Sequence, residues 1–314
     1  MKVVPFAPQY ERQIIELWNR NVASQFPMTP ALFQQNTLLD ANVLAEGSAV
    51  MELNGQVCGV VISKVTKCTK GVEMATNKGW IHLLLVDAPY RKQGIGTLLL
   101  QHAEQALKAA GMEKIQFGGD LLHYLCGVPK EDVETQTFLQ HKGYVYEAVM
   151  TDLTQTLMEP VALPTFEEIH FEPLKFQEKE AFLQFMHRVF PGRWEYEAIV
   201  YFEQGGTGKE FVVAKKGEQI IGFCRMNDDS GPTIAQNMNW APALTGKAGG
   251  IGPLGIEEAE RKGGYGLGIT QAAMHFLQQR HVETILIDWT TLITFYEKLG
   301  FSPWQHYCTY GKTF

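Results

Sequence analysis

Apolar positions along the chain fall into short runs separated by helical stripes, a pattern that predicts alternating strands and helices. Ile81-His82-Leu83-Leu84-Leu85-Val86 is short and apolar enough to be a buried strand. Leu99, Leu100, Ala103, Ala106, Leu107 and Ala110 then form the i, i+3, i+4, i+7 stripe of an amphipathic helix. Upstream, Val3–Phe6 reads as a strand and Glu11–Trp18 as a helix. Thr29-Pro30 predicts another helix, with a capping hydroxyl followed by proline at the first helical position. Val50–Val61 reads as two strands joined by the Asn54-Gly55 turn, and Phe211–Phe223 has the same shape around Gly217. Tyr144–Leu153 reads as a closing strand. Later come a strand at Ile169–Phe171, a helix over Glu178–Phe190 ended by Pro191-Gly192, and another near Glu195–Phe202. Ser230–Gly250 is a long loop rich in Gly, Pro and Asn, a candidate substrate lid.

Between the apolar strand and the striped helix lies Arg91-Lys92-Gln93-Gly94-Ile95-Gly96-Thr97. A glycine-rich turn opening a helix leaves backbone N–H groups unpaired at the positive end of the dipole, an arrangement suited to phosphate. It is not a Walker A loop, and it lacks the third glycine of a dinucleotide fingerprint. The turn recurs. Shifted by 170 positions, Arg91, Gly94 and Gly96 fall on Arg261, Gly264 and Gly266. The same offset carries Leu99, Ala103, Ala106 and Leu107 onto Ile269, Ala273, Phe276 and Leu277, and Ile115 onto Ile285. One offset that preserves a turn, a helical stripe and the next strand identifies an internal duplication of domain size. Helix ends closed by glycine, Phe138–Tyr144 and Phe295–Phe301, complete each half. Their offset is 157, so the first half carries 13 extra residues between Leu121 and Thr137.

The string Val86-Asp87-x-x-Tyr90-Arg91-x-x-Gly94-x-Gly96 resembles the acetyl-CoA pyrophosphate loop of the GNAT family of N-acetyltransferases. The whole chain resembles two tandem domains of that type, an arrangement also found in mycothiol synthase. The resemblance implies an α/β (α+β) fold in which each domain is a mixed, mostly antiparallel, splayed sheet flanked by helices. The expected division is residues 1–155, a linker over 156–166 carrying Pro160 and Pro164, and residues 167–314.

Composition agrees with two globular domains: 314 residues, 45% apolar and 19% charged. A net charge of −7 without a basic run argues against nucleic-acid binding. The five cysteines form no close pair, no leader or apolar span stands out, and the histidines show no metal-ligand spacing. These features read as a cytoplasmic protein without metal or membrane partner, monomeric or homodimeric.

The resemblance also implies site residues. Backbone N–H groups of Gln93, Gly94, Ile95, Gly96 and Thr97, and of Gly263, Gly264, Tyr265, Gly266 and Leu267, would face the pyrophosphate, with Arg91, Lys92, Arg261 and Lys262 adding charge. Leu84, Leu85 and Val86, and Leu254, Gly255 and Ile256, would line the pantetheine arm. Tyr296 matches the family's general acid, whereas the first half has Leu139 there, so the C-terminal domain reads as the likelier catalyst and Tyr124 or Tyr144 as an alternative acid. Glu257 and Asp288 are candidate bases, with His82 the first-half candidate. The expected reaction is direct transfer from acetyl-CoA, as co-substrate, to a small primary amine. A non-catalytic acetyl-CoA-binding or sensing module is the alternative, as is one active domain beside a purely structural one.

Overall fold

In the computed structural model, which describes Lys2–Phe314, the first half runs β1 (Lys2–Pro5), α1 (Glu11–Val22), α2 (Pro30–Phe33), β2 (Ala49–Leu53), β3 (Gln56–Val65), β4 (Lys78–Val86), α3 (Ile95–Ala109), β5 (Lys114–Phe117), β6 (Val128–Pro129), α4 (Val133–His141) and β7 (Val145–Thr156). The second half runs β8 (Ile169–Pro173), α5 (Lys179–Val189), α6 (Arg193–Glu203), β9 (Phe211–Lys216), β10 (Gln219–Asn227), β11 (Ala248–Ile256), α7 (Tyr265–Gln279), β12 (Thr284–Thr290), α8 (Ile293–Glu297) and β13 (Ser302–Thr313). The chain folds as two units. Unit 1 holds residues 1–68, 75–150 and 306–314, and unit 2 holds 69–74 and 151–305. The division therefore does not fall at one place in the sequence: the last nine residues belong with the first unit.

Unit 1 is a mixed sheet in the order β1-β2-β3-β4-β5, continued by the end of β13, which pairs antiparallel with β5 from Tyr310↔Phe117 to Thr313↔Lys114. Only β4 and β5 are parallel, and their ladder stops at Ile81↔Phe117. Beyond that point the two strands diverge and one edge of β4 is unpaired toward β5. Most of the apolar stripe predicted for α3 is the face it buries: Leu99, Leu100, Ala103 and Leu107 are nearly inaccessible, packed with Ile81, Ile115, Leu139, Cys308 and Tyr310, whereas Ala106 is half-buried and Ala110 lies exposed just past the helix end. At about 25 cal/mol per Å² of apolar surface, burial of such a leucine contributes roughly 1.5–3 kcal/mol.

Unit 2 repeats the plan as β8-β9-β10-β11-β12, followed by residues 151–156 of β7 antiparallel to β12. Its parallel pair, β11 and β12, stops at Gly250↔Leu286. The long loop before β11 packs down, with Met238 and Trp240 buried and Asn237 bonded to Asn227 Nδ2 and to the Gly252 carbonyl. Among the described residues all five cysteines are free, no group of three or more metal-ligating side chains forms, and no helix is long and apolar enough to cross a membrane.

Candidate active site

The duplicated turns share one backbone. Lys92 and Gly94 have φ of +60° and +84°; Lys262 and Gly264 have +76° and +81°. Two left-handed residues two apart bring the chain sharply from strand into helix, and at the second of them glycine removes the steric cost. Each arginine acts as a clasp: Arg91 Nε donates to the Val86 carbonyl at 3.0 Å, and Arg261 Nε to the Ile256 carbonyl at 3.1 Å. In unit 1 the connection is tied further to α1. Arg20 donates from Nε and Nη2 to Asp87 Oδ2 at 3.0 and 2.8 Å, and Asn21 Nδ2 donates to Asp87 Oδ1 at 2.9 Å. Burial pushes the Asp87 carboxyl up, but Arg20 and Asn21 outweigh it and hold it below the usual carboxylate range.

A cavity of about 560 Å³ in unit 1 starts at this turn. Gly94, Gly96, Thr97, Arg91 and Lys92 line one end, and Leu83–Val86 line it along the open edge of β4. Its inner wall includes His82, Tyr124 and Trp18. At the same turn the Gln93 side chain donates to the Pro89 carbonyl and the Ile95 side chain is buried in the core.

Behind the cavity lies a buried polar network that joins positions far apart in sequence. His82 Nδ1 is 2.8 Å from Asp120 Oδ2, and His82 Nε2 is 3.3 Å from Thr37 Oγ1. Thr37 Oγ1 in turn is 2.6 Å from the Tyr124 hydroxyl. Asp120 also takes Lys64 Nζ at 2.8 Å on Oδ1, and Lys64 Nζ lies 2.9 Å from Asp40 Oδ2. Burial resists ionisation of Asp120, yet His82 and Lys64 hold its carboxyl well below the ordinary 3.8. With Asp120 ionised, Nδ1–H of neutral His82 donates to it, leaving Nε2 to accept from Thr37, which accepts from Tyr124. Burial dominates at His82 and lowers its pKa below the ordinary 6.5, against the pull of Asp120. Burial likewise raises the Tyr124 hydroxyl far above its usual value, keeping it neutral.

Unit 2 treats the corresponding positions differently. Tyr296 is buried in the hydrophobic core between Phe295 and Phe301, its hydroxyl pKa driven up by that burial. Glu257 is gripped at both oxygens by Arg188, which lowers its carboxyl pKa. Asp288 keeps some surface, but desolvation pushes it up to about 6, assisted by Glu197 and opposed by Arg193. Along β11, residue 253 is proline and has no N–H to offer, and the Phe190 ring closes on Gly255, where a Cβ would lie 2.4 Å from it. The adjoining Leu254 is partly buried against the core, and Ile256 is buried in it. At the turn, the Tyr265 ring lies against Gly263 and meets the Phe166 ring edge-on at 5.2 Å, while Gly266 faces Phe295; Lys262 is exposed and Leu267 partly so.

Thr37, Lys64, Asp40 and Asp120 are site neighbours that sequence reading did not assign. Their one visible signal is negative: polar residues at positions that the burial pattern makes internal.

The sequence profile of the Acetyltransferase (GNAT) family matches residues 12–121 and 179–301, one segment in each half and together more than half of the chain. The chain belongs to this family, as a tandem member, and is an acyltransferase whose donor is acetyl-CoA. Among solved structures it is similar to the GCN5-related glucosamine N-acetyltransferase region of a fungal multi-domain GH3 β-N-acetylglucosaminidase, with TM-score 0.88 and 23% identity over 99% of this chain. The match spans only 38% of that protein. It is also similar to a GCN5-related N-acetyltransferase from Sphaerobacter thermophilus (TM-score 0.72, 15% identity, 99% of this chain and 95% of the other). A tandem GNAT protein from the clavulanic acid biosynthesis pathway matches with TM-score 0.71 and 14% identity, covering 99% and 98%. At these identities the likeness is one of fold. A comparison with curated protein sequences found no match.

The residues of unit 1 fit acetyl-CoA. A Cβ built on Gly94 meets nothing within 4 Å, so the turn is open on its outer side, as a phosphate cradle must be. The unpaired edge of β4 offers backbone donors and acceptors to an amide-bearing chain laid beside it.

Proposed function

We propose that unit 1 transfers the acetyl group of acetyl-CoA to a small primary amine by direct attack, and that an amino sugar is the acceptor class to test first. One observation carries the assignment to unit 1: a single cavity runs from the glycine turn along the open strand edge to His82 and Tyr124. The amino sugar comes from the description of the fungal region as a glucosamine N-acetyltransferase.

Acetyl-CoA, when bound, supplies an activated acyl group. The turn from Gly94 to Thr97 holds its diphosphate, and β4 orients the arm, so that most of the rate comes from placing amine and acyl carbon together. The amine arrives protonated and must lose a proton to attack. Tyr124 accepts that proton while passing its own to Thr37, whose proton moves to His82 Nε2; the net transfer is from ammonium to imidazole, and as the N–C bond forms and the C–S bond breaks the second amine proton leaves with the CoA thiol. Asp120 stabilises the imidazolium so formed and holds the ring in the tautomer that leaves Nε2 unprotonated, accepting from Thr37.

A second reading has its own support. The Asp288 carboxyl, at about 6, has a proton affinity suited to a base, which favours turnover in unit 2 with Tyr296 as acid. The two separate in one experiment: release of free CoA thiol with glucosamine and a panel of amines, for the wild type, His82→Ala, Gly94→Glu, Gly264→Glu and Asp288→Asn. The unit 1 reading expects His82→Ala to lose roughly 10²–10⁴-fold in kcat, and Gly94→Glu to abolish saturation by acetyl-CoA. Full activity of both, with loss in Gly264→Glu and Asp288→Asn, transfers the function to unit 2. Acetyl-CoA binding without thiol release for any amine favours a sensor.

A further inference from the structure

The mechanism leaves the buried cation behind His82 unused. Lys64 sits on β3 with its side chain 1% exposed and three oxygens around Nζ: Asp120 Oδ1 at 2.8 Å, Asp40 Oδ2 at 2.9 Å and the Leu122 carbonyl at 3.2 Å. Two of these are hydrogen bonds, to Asp120 and to the Leu122 carbonyl, while Asp40 Oδ2 is held by charge alone, as an ion pair without a hydrogen bond. Asp40 is itself held, accepting on Oδ1 from Asn42 N at 2.9 Å and Asn42 Nδ2 at 3.0 Å. Asp120 is held at both oxygens, Oδ1 by Lys64 and the Leu122 N–H, Oδ2 by His82.

We infer that Lys64, braced by Asp40, is a positioning residue for the acetyl-transfer site: it orients Asp120 toward His82 Nδ1 and balances the buried carboxylates so that His82 stays a neutral base.

The inference rests on the unit 1 reading and extends it one step behind the imidazole. The charged and titratable groups around His82 come from three directions: Lys64 from β3, Asp40 from the segment after α2, and Asp120, His123 and Tyr124 from the segment after β5. With His82 neutral, Lys64, Asp40 and Asp120 sum to one negative charge, and protonating His82 brings the group to zero. Two buried carboxylates without Lys64 attract a proton to the ring far more strongly. Lys64 therefore lowers the proton affinity of His82, and Asp40 and Asp120 raise it. A buried ion pair gives little stability relative to an apolar replacement, while removal of one member alone leaves an uncompensated charge. The arrangement makes sense as geometry and charge control.

The test compares Lys64→Met with the charge-conserving Lys64→Met/Asp40→Asn, both checked for folding by thermal melting and for acetyl-CoA affinity by calorimetry. The double variant guards against loss of fold in the single one. The expected result for the double variant is unchanged acetyl-CoA affinity, a kcat lower by roughly tenfold, part of the 10²–10⁴ that a general base supplies, and an acidic limb moved to higher pH. ¹⁵N NMR of the imidazoles in the enzyme without acceptor should show His82 titrating at higher pH and losing its pure Nδ1–H tautomer. A folded double variant with wild-type kcat, pH profile and His82 tautomer overturns the inference. Full activity of His82→Ala would instead overturn the unit 1 reading beneath it.

Discussion

A histidine within an apolar strand reads either as a packed core residue or as a proton acceptor, and His82 has features of both. Its ring is enclosed, its centroid 4.3 Å from that of the tilted Tyr124 ring, yet both nitrogens have defined partners and the cavity reaches its position. Because burial depresses its pKa, kcat/KM should be flat at neutral pH and fall only below 6.5, as the imidazole protonates before substrate arrives. A pH profile with an acidic limb above 7 would contradict that. Asp288 offers a stability test. Its folded pKa is raised from 3.8 to about 6, so its favourable contribution is complete below 3.8 and is lost as pH rises through 6. Asp288→Asn removes the buried charge: the melting temperature should rise at pH 8, by the equivalent of about 1–3 kcal/mol, and stay level at pH 4. Glu257 faces solvent beside Arg188, and such a pair is worth about 0–1 kcal/mol. Glu257→Gln should leave both stability and turnover near wild type in assays of melting and thiol release.

At the scale of elements, the two turns show how far local sequence reaches. Arg-x-x-Gly-x-Gly folds the same way twice, down to the arginine clasp on the preceding strand. In both, the arginine Nε is spent on a backbone carbonyl of the preceding strand, which fixes where the guanidinium charge sits. What differs is the surroundings. Gly94 opens outward, whereas Phe166, Tyr265 and Phe190 crowd the second turn and strand. Gly94→Ala and Gly264→Ala force the same left-handed backbone on a residue with a Cβ and should each cost about 1–2 kcal/mol in chemical denaturation. Only Gly94→Ala should also weaken acetyl-CoA binding by calorimetry; equal weakening in both would mean that both turns hold the ligand. The 13-residue insertion was visible as a length difference, but not as the segment that brings Tyr124 against His82. The Gly/Asn-rich loop before β11 has the composition of a lid and packs around a small apolar cluster of its own.

At the scale of the molecule, unit 1 is completed by residues 306–314. Tyr307, Cys308 and Tyr310 are buried there, Lys312 pairs with Glu104 at 2.9 Å, and the ladder to β5 supports Phe117 in the cavity wall. Deleting His306–Phe314 removes several large buried side chains, at 3–5 kcal/mol for each aromatic lost. Melting should then show unit 1 unfolding at much lower temperature than unit 2, with acetyl-CoA binding to unit 1 lost. Retention of that binding would show that the last strand is dispensable.

The sequence by itself determined the duplication, the two strand-turn-helix motifs, the helical stripes and hence the family, because each is written in residues close together along the chain. Local sterics and periodicity suffice for those. Only the tertiary structure decided that the first glycine turn opens on a cavity, which strand completes unit 1, and that Thr37, Asp40, Lys64, His82, Asp120 and Tyr124 meet. Those contacts join residues up to 87 positions apart. They depend on sheet order and on where β4 parts from β5, and neither leaves a periodic trace in the chain.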